Sequence, residues 1–438
     1  MKRGYERDPP ALPRSLWGET APPPMPLEPL GGSVRTQVAV VGAGYTGLSC
    51  ALHLRERSVE CIVLEAREPG WGASGRNNGQ VIPGLKLDPD DVLCLHGDRG
   101  ERMVRASGDA PALVFDLVRR YGIDCEAVNK GWIQPAHSTR ALRAAERRFE
   151  QWRKRGAAVE WIDATHVPEV LGTRYYKGAW KDLRGGSVNP LAYARGLTRA
   201  AAALGAVLHP ETPVESLDCA GGAWRLKTSR GDVTAEQVVI ATNAYSDDVL
   251  TQLGSTIVPI RSAQVASAPL TPEQVSAILP GGECASDTRR LLTSFRITPG
   301  RHLVMGGAGA TGGDYEPPMV RALHRTAAEM FPQLGTIPWR HAWSGVWAVT
   351  ADHLPHLHEP APGVFAALGC NGRGIALTTL WGRMLAERIS GARAEELPFP
   401  LTQPQPVRFG RLHRWGIPLV VTTRRLLDAY DRRVVSEK

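Results

Sequence analysis

Long apolar runs are missing from these 438 residues: none approaches the ~18 needed for a membrane-spanning helix. The opening segment, MKRGYERDPPALPRSLWGETAPPPMPLEPLGG (1–32), lacks the apolar centre of a secretory signal. Cysteine is sparse and scattered. The seven, at 50, 61, 94, 125, 219, 284 and 370, are odd in number and never spaced C-x-x-C, so neither a disulfide framework nor a zinc site is indicated. These absences fit a reducing cytoplasm. Lysine is scarce as well: it supplies eight of the 52 basic residues, and the arginines are spread along the chain. The net charge of +8 therefore reads as a solvated basic surface, and a nucleic-acid partner is not expected. One stretch, FGRLHRWGIPLVVTTRRLLDAYDRR (409–433), alternates basic residues with an apolar patch. It suits a helix docked on the protein itself better than a peripheral membrane contact.

Glycine, by contrast, is abundant and placed. Residues 37–66 read QVAVVGAGYTGLSCALHLRERSVECIVLEA, which is strand, glycine turn, amphipathic helix, strand and acid. Gly42 lets the chain turn and Gly44 lets the backbone approach a pyrophosphate. Gly47 lets helix and strand pack closely, and the helix N-terminus aims its free N–H groups at phosphate. Glu65 stands where an acid accepts hydrogen bonds from a ribose. The context around the fingerprint is complete, so a bound adenine dinucleotide is expected. Ser58 departs from the pattern, because a glycine usually makes the turn before the second strand and can do so at positive φ without cost.

The fingerprint does not separate FAD from NAD. The next segment, EAREPGWGASGRNNGQ (65–80), has small residues that let the backbone wrap a flat, bulky group, and Arg76, Asn77 and Asn78 add donors. A further strand, TAEQVVIATNAYSD (234–247), breaks into a polar turn, and PGVFAALGCNGRGIALTTLWGRMLAERISG (362–391) repeats strand, glycine turn and helix. A helix starting near Gly372–Gly374 would set its positive dipole end beside a developing anion, such as reduced flavin at N1–C2=O.

These motifs, with GGSVNPLAYARGLTRAA (185–201), FRITPGRHLVMGG (295–307) and WSG (343–345), resemble the FAD-dependent D-amino-acid oxidase superfamily, most closely its γ-glutamylputrescine oxidase branch. The resemblance covers roughly residues 15–391. It implies an α/β fold with an α+β cap: a discontinuous Rossmann-like FAD-binding domain and a second domain on an antiparallel sheet plus helices. The expected division is an extended arm (1–32), FAD-binding pieces at 33–83, 181–252 and 340–392, cap pieces at 84–180 and 253–339, and a basic tail (393–438). Leu16 and Trp17 are anchor candidates in the arm, and helical patterns at 99–121 and 138–156 suit the cap.

The resemblance also implies residue roles. Gly42, Gly44, Tyr45 and Thr46 would line the diphosphate, Glu65 and Ala66 the adenosine ribose, and Val214 the adenine. Ala73, Ser74, Arg76, Asn77, Gly79 and Gln80 would edge the flavin. Ala241, Thr242 and Asn243 would lie under the dinucleotide, with Asn243 where a glycine commonly stands. Gly345, Gly369, Arg373, Gly374 and Ile375 would close the pyrimidine end. Relatives attach flavin covalently at the positions of Arg76 and Gly345; neither is a nucleophile, so noncovalent FAD is expected.

Catalytic candidates are Arg373, Arg296 and Gln80. Arg373 would tune the flavin or touch substrate, and Arg296 would fix a substrate carboxylate or form a structural ion pair. Trp343 and Trp347 read as core rather than pocket wall. The histidines 341, 353, 356 and 358 lack a completing ligand set, so no metal is expected. Val304 and Met305 stand where some oxidases carry a lysine, which leaves oxygen or another electron acceptor open. The expected activity is oxidation of the C–N bond of a small amine or amino acid. The alternatives are a tRNA-modifying flavoenzyme module or an electron-transfer flavoprotein without its own amine substrate.

Overall fold

Four apolar residues on each side of the first glycine turn become fully buried strand. Val34–Val41 and Cys61–Leu64 run parallel, with the helix Tyr45–Arg55 between them. The computed structural model describes residues 8–247, 251–310 and 317–406, together with 423, 427, 428 and 431. Val34–Val41 pairs on its other side with Gly231–Ile240, and that strand pairs in parallel with Val364–Leu368. The two strand–glycine–helix units therefore end in one sheet of nine strands, and their helices, Tyr45–Arg55 and Gly374–Ile389, pack on each other.

A second sheet of eight strands is antiparallel except where Cys284–Ser286 meets Trp132–Pro135. Its alternating pattern separates two faces. Ile133, Ala285, Phe295, Met305 and Val265 enter an apolar core with Met319, Leu323 and Met330 of the helix Pro317–Met330. On the other face, directly paired positions form a row: Trp343, Gln264, Gly306, Ser294 and Ser286. That row faces the 72–80 loop.

Several boundaries differ from the sequence expectation. The strand Trp339–Val349 pairs with Val258–Ser267, so it belongs to the second sheet, whereas the expected division places 340 onward with the FAD-binding pieces. The first cap helix begins at Pro89, ten residues early, and tolerates a break at Gly97, where φ is 55°. The second, Thr139–Lys154, lies within its expected span. The N-terminal arm turns inward at the short helix Leu16–Thr20, capped by Ser15, and both Leu16 and Trp17 are buried. Ser58 does adopt the left-handed conformation, at φ 60°.

Most of the basic tail lies outside the described residues. Asp428 and Asp431 both pair with Nη1 of Arg290, at 2.8 and 2.9 Å, so this part of the tail docks on the protein. Among the described residues no helix is long and apolar enough to cross a membrane.

Candidate active site

The first glycine turn works by close approach. Gly42 has φ 104°, and a Cβ on Gly47 would sit 1.9 Å from the Gly42 carbonyl. Any larger residue at 47 would push the helix off the strand. The helix begins at Gly44 with no side-chain cap and no acid in its first turn, which leaves the dipole end for an anion. The Glu65 carboxylate closes the turn from below, accepting the Ala43 amide at 2.7 Å and the Arg67 amide at 2.9 Å. Burial raises its pKa, against which those amides and the Arg67 charge act.

In front of this turn lies an open cleft. Twelve of the expected cofactor residues line it: Gly42, Gly44, Tyr45, Thr46, Glu65, Ala66, Ala73, Ser74, Val214, Ala241, Thr242 and Asn243. Gly47 packs behind them. The cleft is also lined by Trp71, Tyr245 and Thr378, which sequence reasoning missed. Trp71 stands inside the segment 65–80, so its aromatic character was the available signal. The Tyr45 hydroxyl lies within donating distance of the carbonyls of Ser74 (2.5 Å) and Pro190 (2.9 Å).

The remaining expected residues gather where the loop passes beneath the second sheet. The Asn77 side chain braces the loop from within, donating to the carbonyls of Ala73 and Ser74 and accepting from the Gly79 amide. Gln80 donates Nε2 to the Ala285 carbonyl at 2.7 Å. Arg76 lies over the Trp71 ring and donates Nε to the Trp71 carbonyl at 2.7 Å. Its Nη1 is 3.5 Å from the buried carboxylate of Asp8, which also accepts from Arg261 at 2.6 Å. A Cβ on Gly345 would come within 2.9 Å of the Arg76 Cβ, so these two positions are neighbours.

Arg296 makes no carboxylate contact among the described residues. It donates Nε to the Asn78 carbonyl at 2.9 Å and Nη2 to the Val188 carbonyl at 2.8 Å. Desolvation pulls its pKa down to about 10. The second glycine turn is tied to the first sheet by Asn243, whose φ of 40° is the glycine-like conformation and whose Oδ1 accepts from the Gly369 amide. Arg373 is the residue just before the helix Gly374–Ile389, of which Ile375 is a buried member.

The Arg373 side chain is buried over the Trp132 ring of the cap sheet, with one long hydrogen bond, 3.5 Å, to the Pro83 carbonyl. Desolvation, and then the Arg148 charge, bring its pKa down to about 9. The acids that oppose this shift are committed elsewhere, Asp182 to Arg184 and Asp88 to Arg148.

These residues fit a flavin dinucleotide. The cleft and Glu65 suit the adenosine diphosphate half. Around the loop, Trp71 Nε1, Arg76 Nη2, Asn78 Oδ1, Gln80 Oε1 and Arg296 Nη1 are buried without a partner among the described residues. Buried polar atoms are normally paired, so five together point to a polar ligand. A separate group, His137, Asp428 and Asp431, has metal-ligand spacing, but the Arg290 guanidinium already contacts both carboxylates.

The fold and the cleft define a dinucleotide-binding oxidoreductase with a cap domain. The chain belongs to the FAD dependent oxidoreductase family of the D-amino-acid oxidase superfamily, whose model matches residues 37–388. It is 30% identical over 386 residues to the gamma-glutamylputrescine oxidoreductase of Escherichia coli K12, covering 86% of this chain and 90% of that protein. The crystal structure of glycine oxidase from Geobacillus kaustophilus superposes with a TM-score of 0.73 at 26% identity, covering 84% of this chain and 98% of that one. A bifunctional protein of tRNA 5-methylaminomethyl-2-thiouridine biosynthesis from Shewanella amazonensis is 25% identical, and the match spans 56% of its length.

Proposed function

We propose that this chain oxidises the C–N bond of a small amine or amino acid, with γ-glutamylputrescine-like amines as the first class to test. The observation that carries this reading is the set of buried, unpartnered polar atoms carried by Arg76, Asn78 and Gln80 of the loop and by Arg296 of the cap sheet, which bonds to that loop. When bound, FAD would supply the acceptor for the hydride, with its two electrons, lost from the substrate α-carbon, and water would hydrolyse the resulting imine to a carbonyl compound and ammonia or an amine. Oxygen or another acceptor then takes the electrons.

The chain's own residues have narrower tasks. The loop and the cap sheet orient the carbon and exclude water. Gln80 and Arg296 present polar atoms at the loop edge, and Arg373 with the helix Gly374–Ile389 supplies positive potential. The flavin is held without a covalent bond, because Arg76 and Gly345 offer no nucleophile. In the domain division we favour, 33–83, 181–252 and the part of 340–392 beyond Val349 bind the cofactor, and 84–180 and 253–349 cap it. An anaerobic screen of amines, polyamines and amino acids, read by bleaching of the oxidised flavin band, tests the activity. No bleaching with any primary or secondary amine contradicts it.

A further inference from the structure

Residues 76–79 belong to no helix or strand, yet each of their four carbonyls is bonded. The Arg76 carbonyl accepts from Trp343 Nε1 at 2.9 Å, Asn77 from Trp17 Nε1 at 2.8 Å, Asn78 from Arg296 Nε at 2.9 Å, and Gly79 from the Val188 amide at 2.8 Å. Buried carbonyls outside regular structure need such donors, and here three of the four come from side chains. Trp17 also touches the other two. Trp17 meets Trp343 edge to face at 5.6 Å, and the Arg296 guanidinium lies 4.9 Å from the Trp17 ring centre.

Trp17 differs from the others in origin, since it comes from the N-terminal arm and not from the cap sheet. The arm is tied to the loop a second time, through Asp8 between Arg76 and Arg261. It is also fastened to the body by Asn189 on Thr20 (2.9 Å) and Arg195 on the Pro22 carbonyl (2.8 Å). Trp17 and Val304 share one apolar cluster with Leu16, Leu191, Ala266 and Trp343.

We infer that the N-terminal arm is a working part of the flavin site, and that Trp17 is a positioning residue whose indole N–H fixes the Asn77 carbonyl and, through it, the loop that receives the flavin. The inference needs FAD as cofactor but not the amine substrate of the proposed function. An FAD titration without turnover therefore separates its failure from failure of that proposal.

The test compares the wild-type apoprotein with Trp17→Phe and Trp17→Ala. Phenylalanine keeps a ring against Arg296 and Trp343 but has no N–H. Both variants should bind FAD about 5- to 30-fold more weakly, as expected for one buried carbonyl left unpaired. Both should also shift the visible flavin spectrum and speed amide exchange across 72–80. If Trp17→Phe matches wild type in affinity, spectrum and exchange, Trp17 acts by packing alone and the inference fails. Should the phenylalanine variant not fold, the wild-type protein labelled with ¹⁵N-indole gives the same decision. The Trp17 N–H should be protected and should shift on FAD binding; a rapidly exchanging resonance unmoved by FAD overturns the proposal.

Discussion

The carboxylate of Glu65 and the backbone amide of Ala43 lie 2.7 Å apart, so the acid ending the second strand is bonded to the middle of the glycine turn. Glu65 thus shapes the turn that meets phosphate while its remaining acceptor capacity faces the cleft. Glu65→Ala should weaken FAD binding by one or more decades, at ~1.5–3 kcal/mol for each hydrogen bond to the charged group, with little effect on the chemical step. Binding should also depend on pH. Burial raises the Glu65 pKa above 4.5, whereas ribose hydroxyls donating to the carboxylate favour its charged form. FAD binding then releases a proton, and affinity should rise with pH between the lower bound-state pKa and the raised free-state pKa. A Glu65→Ala variant that binds FAD normally rules out the ribose role.

FAD should leave the protein on denaturation. Arg76 and Gly345 are neighbours in the structure, and neither side chain is a nucleophile that could bond a flavin. Acid or heat should release all yellow colour into the supernatant; colour retained in the precipitate contradicts noncovalent binding.

Arg373 lies over Trp132 with no acid in direct contact among the described residues, so its charge is available to an anion nearby. Arg373→Ala should lower the flavin midpoint potential and slow flavin reduction, by about 100-fold if it counts as one preorganised donor, while FAD stays bound. An unchanged potential would leave the helix dipole as the sole stabiliser.

His53 supplies an acid-sensitive element away from the cleft. Burial brings its pKa from 6.5 to about 4, partly opposed by its bond to the Ser49 carbonyl and by Glu56. The unfolded chain therefore binds the proton first, and stability falls as pH drops from about 6.5 to 4, by up to about 3 kcal/mol. His53→Gln should flatten that part of the profile in urea unfolding. An unchanged slope removes His53 as the cause.

Much of the first glycine turn and its cleft was legible because glycine spacing and strand periodicity are local signals. Gly42, Gly44, Gly47 and Glu65 lie within 24 residues, and the chemistry of each follows from its neighbours. The flavin end was less legible because its partners are far apart in sequence. Arg296 stood out as a cation beside a presumed flavin, but its two backbone partners, Asn78 and Val188, are 218 and 108 residues away. The row of Gln264, Ser294 and Ser286 emerges only from strand register. Trp17, in a proline-rich segment that reads as a surface arm, gave no sign that its N–H would serve the loop.

The central claim is amine oxidation at this site, and stopped-flow reduction of the flavin under anaerobic conditions tests it most directly. With an amine substrate the oxidised band should bleach, and the rate should rise about tenfold per pH unit until the bound amine is neutral, because only the neutral amine releases hydride readily. Bleaching that is indifferent to pH, or absent with every amine while dithionite still reduces the flavin, contradicts the account.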